Sequence, residues 1–153
     1  MACQLKVQTQ KLNLRIKIYD SGFMNNKPNE IVSFTDLDVW KEGHKLVIMV
    51  YKISGQFPKS EMYSLVDQMR RAATSVTANL AEGFGRQTYK EKLQFYYMSQ
   101  GSLTELKNFI LIARDLDYLK QVDFDTLAEQ VNLTHKILQG FLQKTKSLVN
   151  QKS

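Results

Sequence analysis

The stretch "NLAEGFGRQTYKEK", residues 79–92, decides between two interpretations of this chain. Gly83 and Gly85 flank one aromatic residue, and basic residues follow, as in a loop that binds a nucleotide phosphate. However, the third glycine of a dinucleotide fingerprint is missing, and no Lys-Ser/Thr pair follows as in a P-loop. Both motifs also follow a strand, whereas the apolar residues before Gly83 repeat at helical spacing. The stretch therefore indicates a turn between two helices.

The residues on either side of this turn predict how the two helices end and begin. An apolar stripe at spacings of three and four precedes it: Leu65, Met69, Ala72, Val76 and Leu80. We expect Gly83 or Gly85 to end this helix with a left-handed C-terminal cap. Thr88 and Glu91 have the spacing of a capping box that opens the next helix. Within that helix, Gly101-Ser102 costs about 1 kcal/mol in helix propensity against Ala, so we expect a close helix crossing there.

Two further helices complete the pattern. Thr35 or Asp36 is expected to cap a first helix, Ser60 the second, and Asp123 a fourth that runs nearly to the end of the chain. Amphipathic helices joined by short connections predict an all-α fold, an antiparallel up-down four-helix bundle over residues 35–150.

Residues 1–34 form a separate N-terminal extension and linker on this reading. The segment "KLNLRIKIYD", residues 11–20, alternates apolar and polar side chains, which is typical of a β-strand. A single strand is not stable alone. The extension therefore pairs with another chain, docks on the bundle or is disordered, and the sequence leaves these alternatives open.

Composition limits the functional classes. The 153 residues are 43% hydrophobic and carry a net charge of +6, which favours anionic partners such as nucleic acid, an acidic protein or an anionic membrane. The single cysteine, Cys3, cannot form an intramolecular disulfide, so no oxidising compartment is indicated. No apolar run reaches the roughly 18 residues of a transmembrane helix, and no signal-peptide core is visible. We expect a cytoplasmic protein without a membrane partner.

Catalytic signatures are absent from the sequence. His44 and His135 would need Glu-x-x-His pairs to form a di-metal site in a bundle, but Lys41 and Asn132 occupy the partner positions. Glu82, near the end of the second helix, is either partly buried against an arginine or a simple surface carboxylate. We expect no enzyme activity, no metal and no cofactor.

Basic residues give the strongest functional signal. We predict a nucleic-acid-binding site at Arg70, Arg71, Arg86, Lys90 and Lys92, because such side chains neutralise phosphates without reading base sequence. Lysines also accumulate without acids toward the end of the chain, at Lys136, Lys144, Lys146 and Lys152. The alternative for each of these charges is a solvated helix face.

Aromatic residues near the turn add a second possibility. Tyr89, Tyr96 and Tyr97 can stack on bases if they are exposed, although at least one of Tyr96 and Tyr97 is expected in the core.

The first helix carries the candidate oligomer interface. Its run "LVIMVY", residues 46–51, is apolar on all sides, and such a helix requires burial on more than one side. We predict interface residues at Trp40, Val47, Ile48 and Tyr51.

Four motifs occur in order along the chain: "FPKSE", "QMRRAATSV", "NLAEGFGR" and "GSLTEL". With them, residues 36–149 resemble the four helix bundle family of proteins encoded in 23S rRNA intervening sequences. That family includes the accessory variability determinant of diversity-generating retroelements. The resemblance implies that Arg70-Arg71, Asn79, Glu82-Gly83 and Gly101-Ser102 serve fold and assembly.

The resemblance also implies a homopentameric barrel of up-down bundles without catalytic activity. For the retroelement branch it implies a basic surface that binds nucleic acid and a reverse transcriptase. For the rRNA-encoded branch no function is established. We therefore expect a non-enzymatic, oligomeric adaptor that binds nucleic acid, either RNA or RNA/DNA, and the resemblance makes RNA the first choice. The alternative is a protein–protein scaffold that binds a reverse transcriptase or another partner without touching nucleic acid.

Overall fold

The computed structural model describes residues 31–151, so the predicted strand of residues 11–20, Cys3 and Lys152 lie outside the described part. Four α-helices fill most of that range: α1 (Asp38–Ser54), α2 (Leu65–Phe84), α3 (Tyr89–Asp115) and α4 (Gln121–Gln151). Short 3-10 helices at Phe34–Asp36 and Lys59–Glu61 precede α1 and α2.

The four helices pack around a square. Contacts join α1 to α2, α2 to α3, α3 to α4 and α4 back to α1, while the diagonal pairs do not meet within the described residues. The connections are short, so each helix runs antiparallel to the one before it. The predicted all-α, up-down four-helix bundle is confirmed. In this topology the α2–α3 turn lies at the same end of the bundle as the start of α1 and the end of α4.

One helix start was predicted correctly. The backbone N–H of Glu91 donates to Thr88 Oγ1 at 3.2 Å, and that of Thr88 donates to Glu91 Oε2 at 3.0 Å, which completes the capping box of α3. This cap is a purely local feature, because both partners lie within one helical turn.

The other predicted caps were wrong by one to four residues. The Asp36 carboxylate accepts hydrogen bonds from the backbone of Val32 and Ser33, so it closes a 3-10 turn instead of capping α1. Ser60 lies in the second 3-10 helix, after which α2 begins only at residue 65. Asp123 lies inside the first turn of α4, because helical bonding already starts between Phe124 N–H and the Lys120 carbonyl.

The end of α2 at Gly85 was predicted correctly, but the expected left-handed conformation of that glycine was wrong. Gly83 lies inside the helix, and the C-cap residue Gly85 has φ −73°, a right-handed conformation. Among the described residues, only Asp117 has a positive φ, at 56°. There the Tyr118 N–H reaches back to the Ala113 carbonyl at 2.9 Å, the long bond of a Schellman motif at the end of α3.

Close packing determines where the small residues lie. A Cβ added to Gly83 would lie 2.5 Å from a ring carbon of Tyr96, so α2 and α3 approach closely there. Of the predicted close crossing at Gly101-Ser102, the glycine takes no part within the described residues, because a Cβ on Gly101 would meet nothing within 4 Å. One residue later, Ser102 Oγ does meet Ser75 Oγ of α2 at 2.8 Å.

The core is formed by all four helices. Its fully buried side chains include Leu46, Val50, Met69, Val76, Leu80, Leu103, Leu106, Leu127 and Leu138. Polar groups inside it are satisfied: the Ser99 hydroxyl donates to the Val76 carbonyl at 2.9 Å, and the Asn79 amide donates to the Ser75 carbonyl at 2.8 Å. The described part of the chain contains no buried side-chain nitrogen or oxygen without a hydrogen-bond partner.

Candidate nucleic-acid interface

Lys92 holds the α2–α3 turn together. Its Nζ donates to the Phe84 carbonyl and, at 3.5 Å, to the Gly83 carbonyl, which are two of the last acceptors of α2. A cation is favourable at a helix C-terminus because it meets the negative end of the helix dipole. Partial burial at this position lowers the pKa of Lys92, and nearby Glu91 opposes that shift. Lys92 therefore replaces the left-handed glycine cap that the sequence predicted.

Arg86 and Lys90 are displayed to solvent at the same turn. The Arg86 guanidinium lies 4.3 Å above the ring of Phe95 and 3.9 Å from the Glu82 carboxylate. The Glu82 side chain is 61% exposed, so the surface alternative for this carboxylate is the observed one. Lys90 is exposed and forms no ion pair with any described residue. These two cations are accessible to an external anion.

Arg70 and Arg71 lie far from this turn. Arg70 Nε donates to Ser54 Oγ at 3.0 Å, and its guanidinium lies over the Tyr51 ring at 4.8 Å, so it fastens the end of α1 to α2. Arg71 is exposed, 3.8 Å from Asp67. At 1.5 Å per residue, Arg70 is about 21 Å along α2 from the helix end at residue 84. The five predicted binding residues therefore do not form one patch.

The last turns of α4 bring new cations to the α2–α3 turn. The rings of Tyr96 and Phe141 lie 4.7 Å apart, and α3 and α4 are antiparallel. Lys144 and Lys146, one to two turns beyond Phe141, therefore lie at the same end of the bundle as Lys92, and both are exposed.

We call the cations at this end the basic end: Arg86, Lys90, Lys92, Lys144 and Lys146. Sequence reasoning noted the lysine-rich tail but did not place Lys144 and Lys146 in the site. The signal that could have placed them was the up-down topology, because it brings the end of the fourth helix beside the turn between the second and third.

The predicted interface residues of α1 divide into two groups. Val47 is 9% exposed and belongs to the core of its own chain, whereas Ile48 and Tyr51 are 42% and 45% exposed. Trp40 is half-buried, and its ring stacks on His44 with centroids 4.9 Å apart. Trp40, His44, Ile48 and Tyr51 recur at helical spacing along the outside of α1, and we call them the α1 face.

A second surface with exposed apolar side chains, besides the α1 face, lies on α3. Its exposed apolar residues are Tyr97, Met98, Leu111 and Ile112, which we call the α3 face. The helices α1 and α3 occupy diagonal corners of the square. The two faces therefore point to opposite sides of the bundle.

The described residues contain no group of three or more His, Cys, Asp or Glu side chains placed to hold a metal ion. His135 lies between Lys107 Nζ at 3.4 Å and the Gln139 side-chain amide at 3.2 Å. A groove of about 240 Å³ between α3 and α4 is lined mainly by apolar side chains, including Ile110, Phe124 and Val131. No helix in the described range has the length and apolar content that would let it cross a membrane.

Residues 35–140 match the family described as 23S rRNA-intervening sequence protein. This match spans more than half of the chain and most of the bundle. The chain belongs to the 23S rRNA-intervening sequence protein family. The resemblance inferred from the four sequence motifs is thereby confirmed.

The bundle of this family member is also similar to a solved structure. A protein of unknown function from the S23 ribosomal protein family of Bacteroides thetaiotaomicron VPI-5482 superposes with a TM-score of 0.64. The sequences are 12% identical, and the match covers 69% of this chain and 95% of that chain. At this identity the likeness shows the fold alone. No curated protein matches the chain.

Proposed function

We propose that this 23S rRNA-intervening sequence family member is a non-enzymatic, oligomeric adaptor that acts in the cytoplasm and binds nucleic acid through its basic end. One observation carries the proposal: two basic segments that are distant in sequence meet at one end of the bundle. At that end Arg86, Lys90, Lys144 and Lys146 are exposed. Such cations release counterions when they neutralise phosphates, which supplies affinity independent of base sequence. RNA is the preferred target because the family is described by an rRNA intervening sequence.

Assembly would strengthen a weak site. The resemblance to pentameric relatives supports a homopentamer, and a cyclic ring requires two different surfaces on each protomer. The α1 face and the α3 face lie on opposite sides of the bundle, as such a head-to-tail contact needs. A ring repeats the basic end once per protomer, so a nucleic acid that spans several copies binds with avidity.

The experiment is binding of the full chain to a structured RNA at about 50 mM salt and then at increasing salt. We expect measurable binding that falls steeply with salt. Joint replacement of Lys90, Lys144 and Lys146 by Gln should weaken it at least tenfold.

The matched control replaces three exposed cations that lie outside the basic end, Lys52, Lys59 and Arg71, by Gln. This control removes the same charge and should change the affinity much less. Absence of binding at low salt, or equal loss in both variants, would contradict the proposal.

A second candidate function is a protein–protein scaffold, with a reverse transcriptase as the concrete partner. The exposed apolar residues of the α1 and α3 faces favour it, because large apolar side chains on a surface often mark a protein contact. Co-purification with the product of a neighbouring gene tests this function. The scaffold is supported if Ile48→Glu or Met98→Glu abolishes co-purification while the oligomeric state of the chain is unchanged.

A further inference from the structure

We infer that the basic end recognises the phosphate backbone of a base-paired helix and not unpaired bases. This inference rests on the proposed function and specifies the class of nucleic acid. The inference follows from the burial and the contacts of the aromatic side chains at this end of the bundle.

Two phenylalanine rings beside the α2–α3 turn are covered by cations. The Arg86 guanidinium lies 4.3 Å above the Phe95 ring, and Lys92 Nζ lies 5.4 Å from the centre of the Phe84 ring. Lys92 cannot leave without releasing the carbonyl groups at the end of α2. One face of each ring is thus occupied by a cation, and Lys92 is also bound to the end of the preceding helix.

The tyrosines that were expected to stack on bases are not arranged to do so. Tyr96 is 2% exposed and its ring packs against Phe141. This confirms the prediction that at least one of Tyr96 and Tyr97 lies in the core. Tyr97 is 47% exposed but belongs to the α3 face, about 100° around the helix from Tyr96. Tyr89 is only partly exposed and already has an interaction within the protein.

Proteins that bind single strands without sequence preference combine cations with exposed aromatic platforms, on which successive bases stack. The basic end provides the cations, at the α2–α3 turn and on α3 and α4, and the described aromatic rings beside that turn form no such platform. Trp40, at the start of α1 on the same end, is half-buried and its ring stacks on His44. A surface that acts by charge alone prefers the denser phosphate array. The salt slope per neutralised phosphate is about 0.9 for a DNA duplex and about 0.7 for a single strand. With four neutralised phosphates the two slopes differ by about 0.8. When the two affinities are set equal at 1 M salt and base-paired RNA is treated as the DNA duplex, this difference corresponds to about sixfold tighter duplex binding at 0.1 M salt.

The test compares two RNAs of equal length and charge, a hairpin stem and an unstructured polyuridine strand, with the full chain. We expect the stem to bind about sixfold more tightly at 0.1 M salt and with the steeper salt dependence. The variants Phe95→Leu and Tyr97→Ser remove aromatic faces and should change the affinities for the stem and for polyuridine by the same factor.

The outcomes separate the two proposals. Polyuridine binding equal to or tighter than stem binding overturns this inference but leaves the adaptor function standing. A selective loss of polyuridine affinity in Phe95→Leu or Tyr97→Ser overturns it too, because it reveals base stacking. Absence of binding to either RNA at about 50 mM salt refutes the adaptor function itself, and this inference with it.

Discussion

Replacing Gly83 by Ala tests the packing of α2 against α3, because sequence and structure predict opposite effects. On propensity alone, Gly→Ala inside a helix stabilises by about 1 kcal/mol. In the structure, however, the new Cβ would lie 2.5 Å and 2.9 Å from two ring carbons of Tyr96, and 3.0 Å from Cβ of Phe95. Contacts this short require a neighbour to move.

Tyr96 has little room to move. Its side chain is 2% exposed, its ring packs against Phe141, and burial raises its pKa to about 12. Overpacking a filled core costs about 1–3 kcal/mol, and the upper half of that range applies where a rigid ring is displaced. After subtraction of the propensity gain, we expect Gly83→Ala to lower the free energy of unfolding by about 1–2 kcal/mol.

The matched control is Gly140→Ala in α4, where an added Cβ meets nothing within 4 Å. This variant should gain about 0.5–1 kcal/mol, because only the propensity effect remains. The assay is denaturant unfolding followed by circular dichroism at one protein concentration, since assembly would make stability concentration-dependent. A Gly83→Ala protein as stable as Gly140→Ala would refute the reasoning. The double variant Gly83→Ala, Tyr96→Leu should be more stable than the two single changes predict.

Three further predictions concern helix ends and one histidine. Thr88→Ala should lower the free energy of unfolding by about 1 kcal/mol, because it removes the side-chain cap of α3, whereas Thr88→Ser should lower it little. Thermal unfolding of the two variants measures this difference. Asp117 has a φ of 56°, which glycine adopts easily and a β-branched residue does not. In denaturant unfolding, Asp117→Gly should therefore be as stable as the unaltered protein or more stable, and Asp117→Val should be less stable by about 1 kcal/mol or more. Burial, and secondly Lys107, lowers the pKa of His135, so the unfolded chain binds its proton more tightly. The free energy of unfolding should therefore decrease as the pH falls below about 6.5. The melting temperature should drop less between pH 7.5 and 5.5 in His135→Gln than in the unaltered protein.

Features that depend on neighbours along the chain could be predicted from the sequence. The pair Thr88 and Glu91 is the clearest case, since both hydrogen bonds of the capping box close within one turn. Gly83 is the opposite case. The sequence does not distinguish a glycine needed for a turn from a glycine needed to leave space for an aromatic ring. At Gly83 the space is taken by the ring of Tyr96, which lies on the next helix. For the same reason the sequence could not show that Ser102, and not Gly101, contacts α2 at the predicted crossing.

The candidate site was only partly predictable, for a similar reason. Charge counting treats all cations equally, but Arg70 and Lys92 bind groups at the ends of the preceding helices and Arg86 lies over a ring. Lys144 and Lys146 are separated from the turn by more than fifty residues of sequence, so only the bundle topology places them there.

The antiparallel bundle also determines where the potential at the basic end originates. Each end of such a bundle carries two helix N-termini and two C-termini, so the partial charges of the helix dipoles largely cancel there. The side chains of α4 are not balanced in the same way. Residues 121–131 include three acids and no cation, whereas residues 132–150 include three lysines and no acid. This order complements the dipole of α4, and it concentrates positive charge beside the α2–α3 turn. The positive charge of the basic end therefore resides on exposed side chains, which salt screens and single substitutions remove, and Glu82 and Glu91 at the same turn offset part of it.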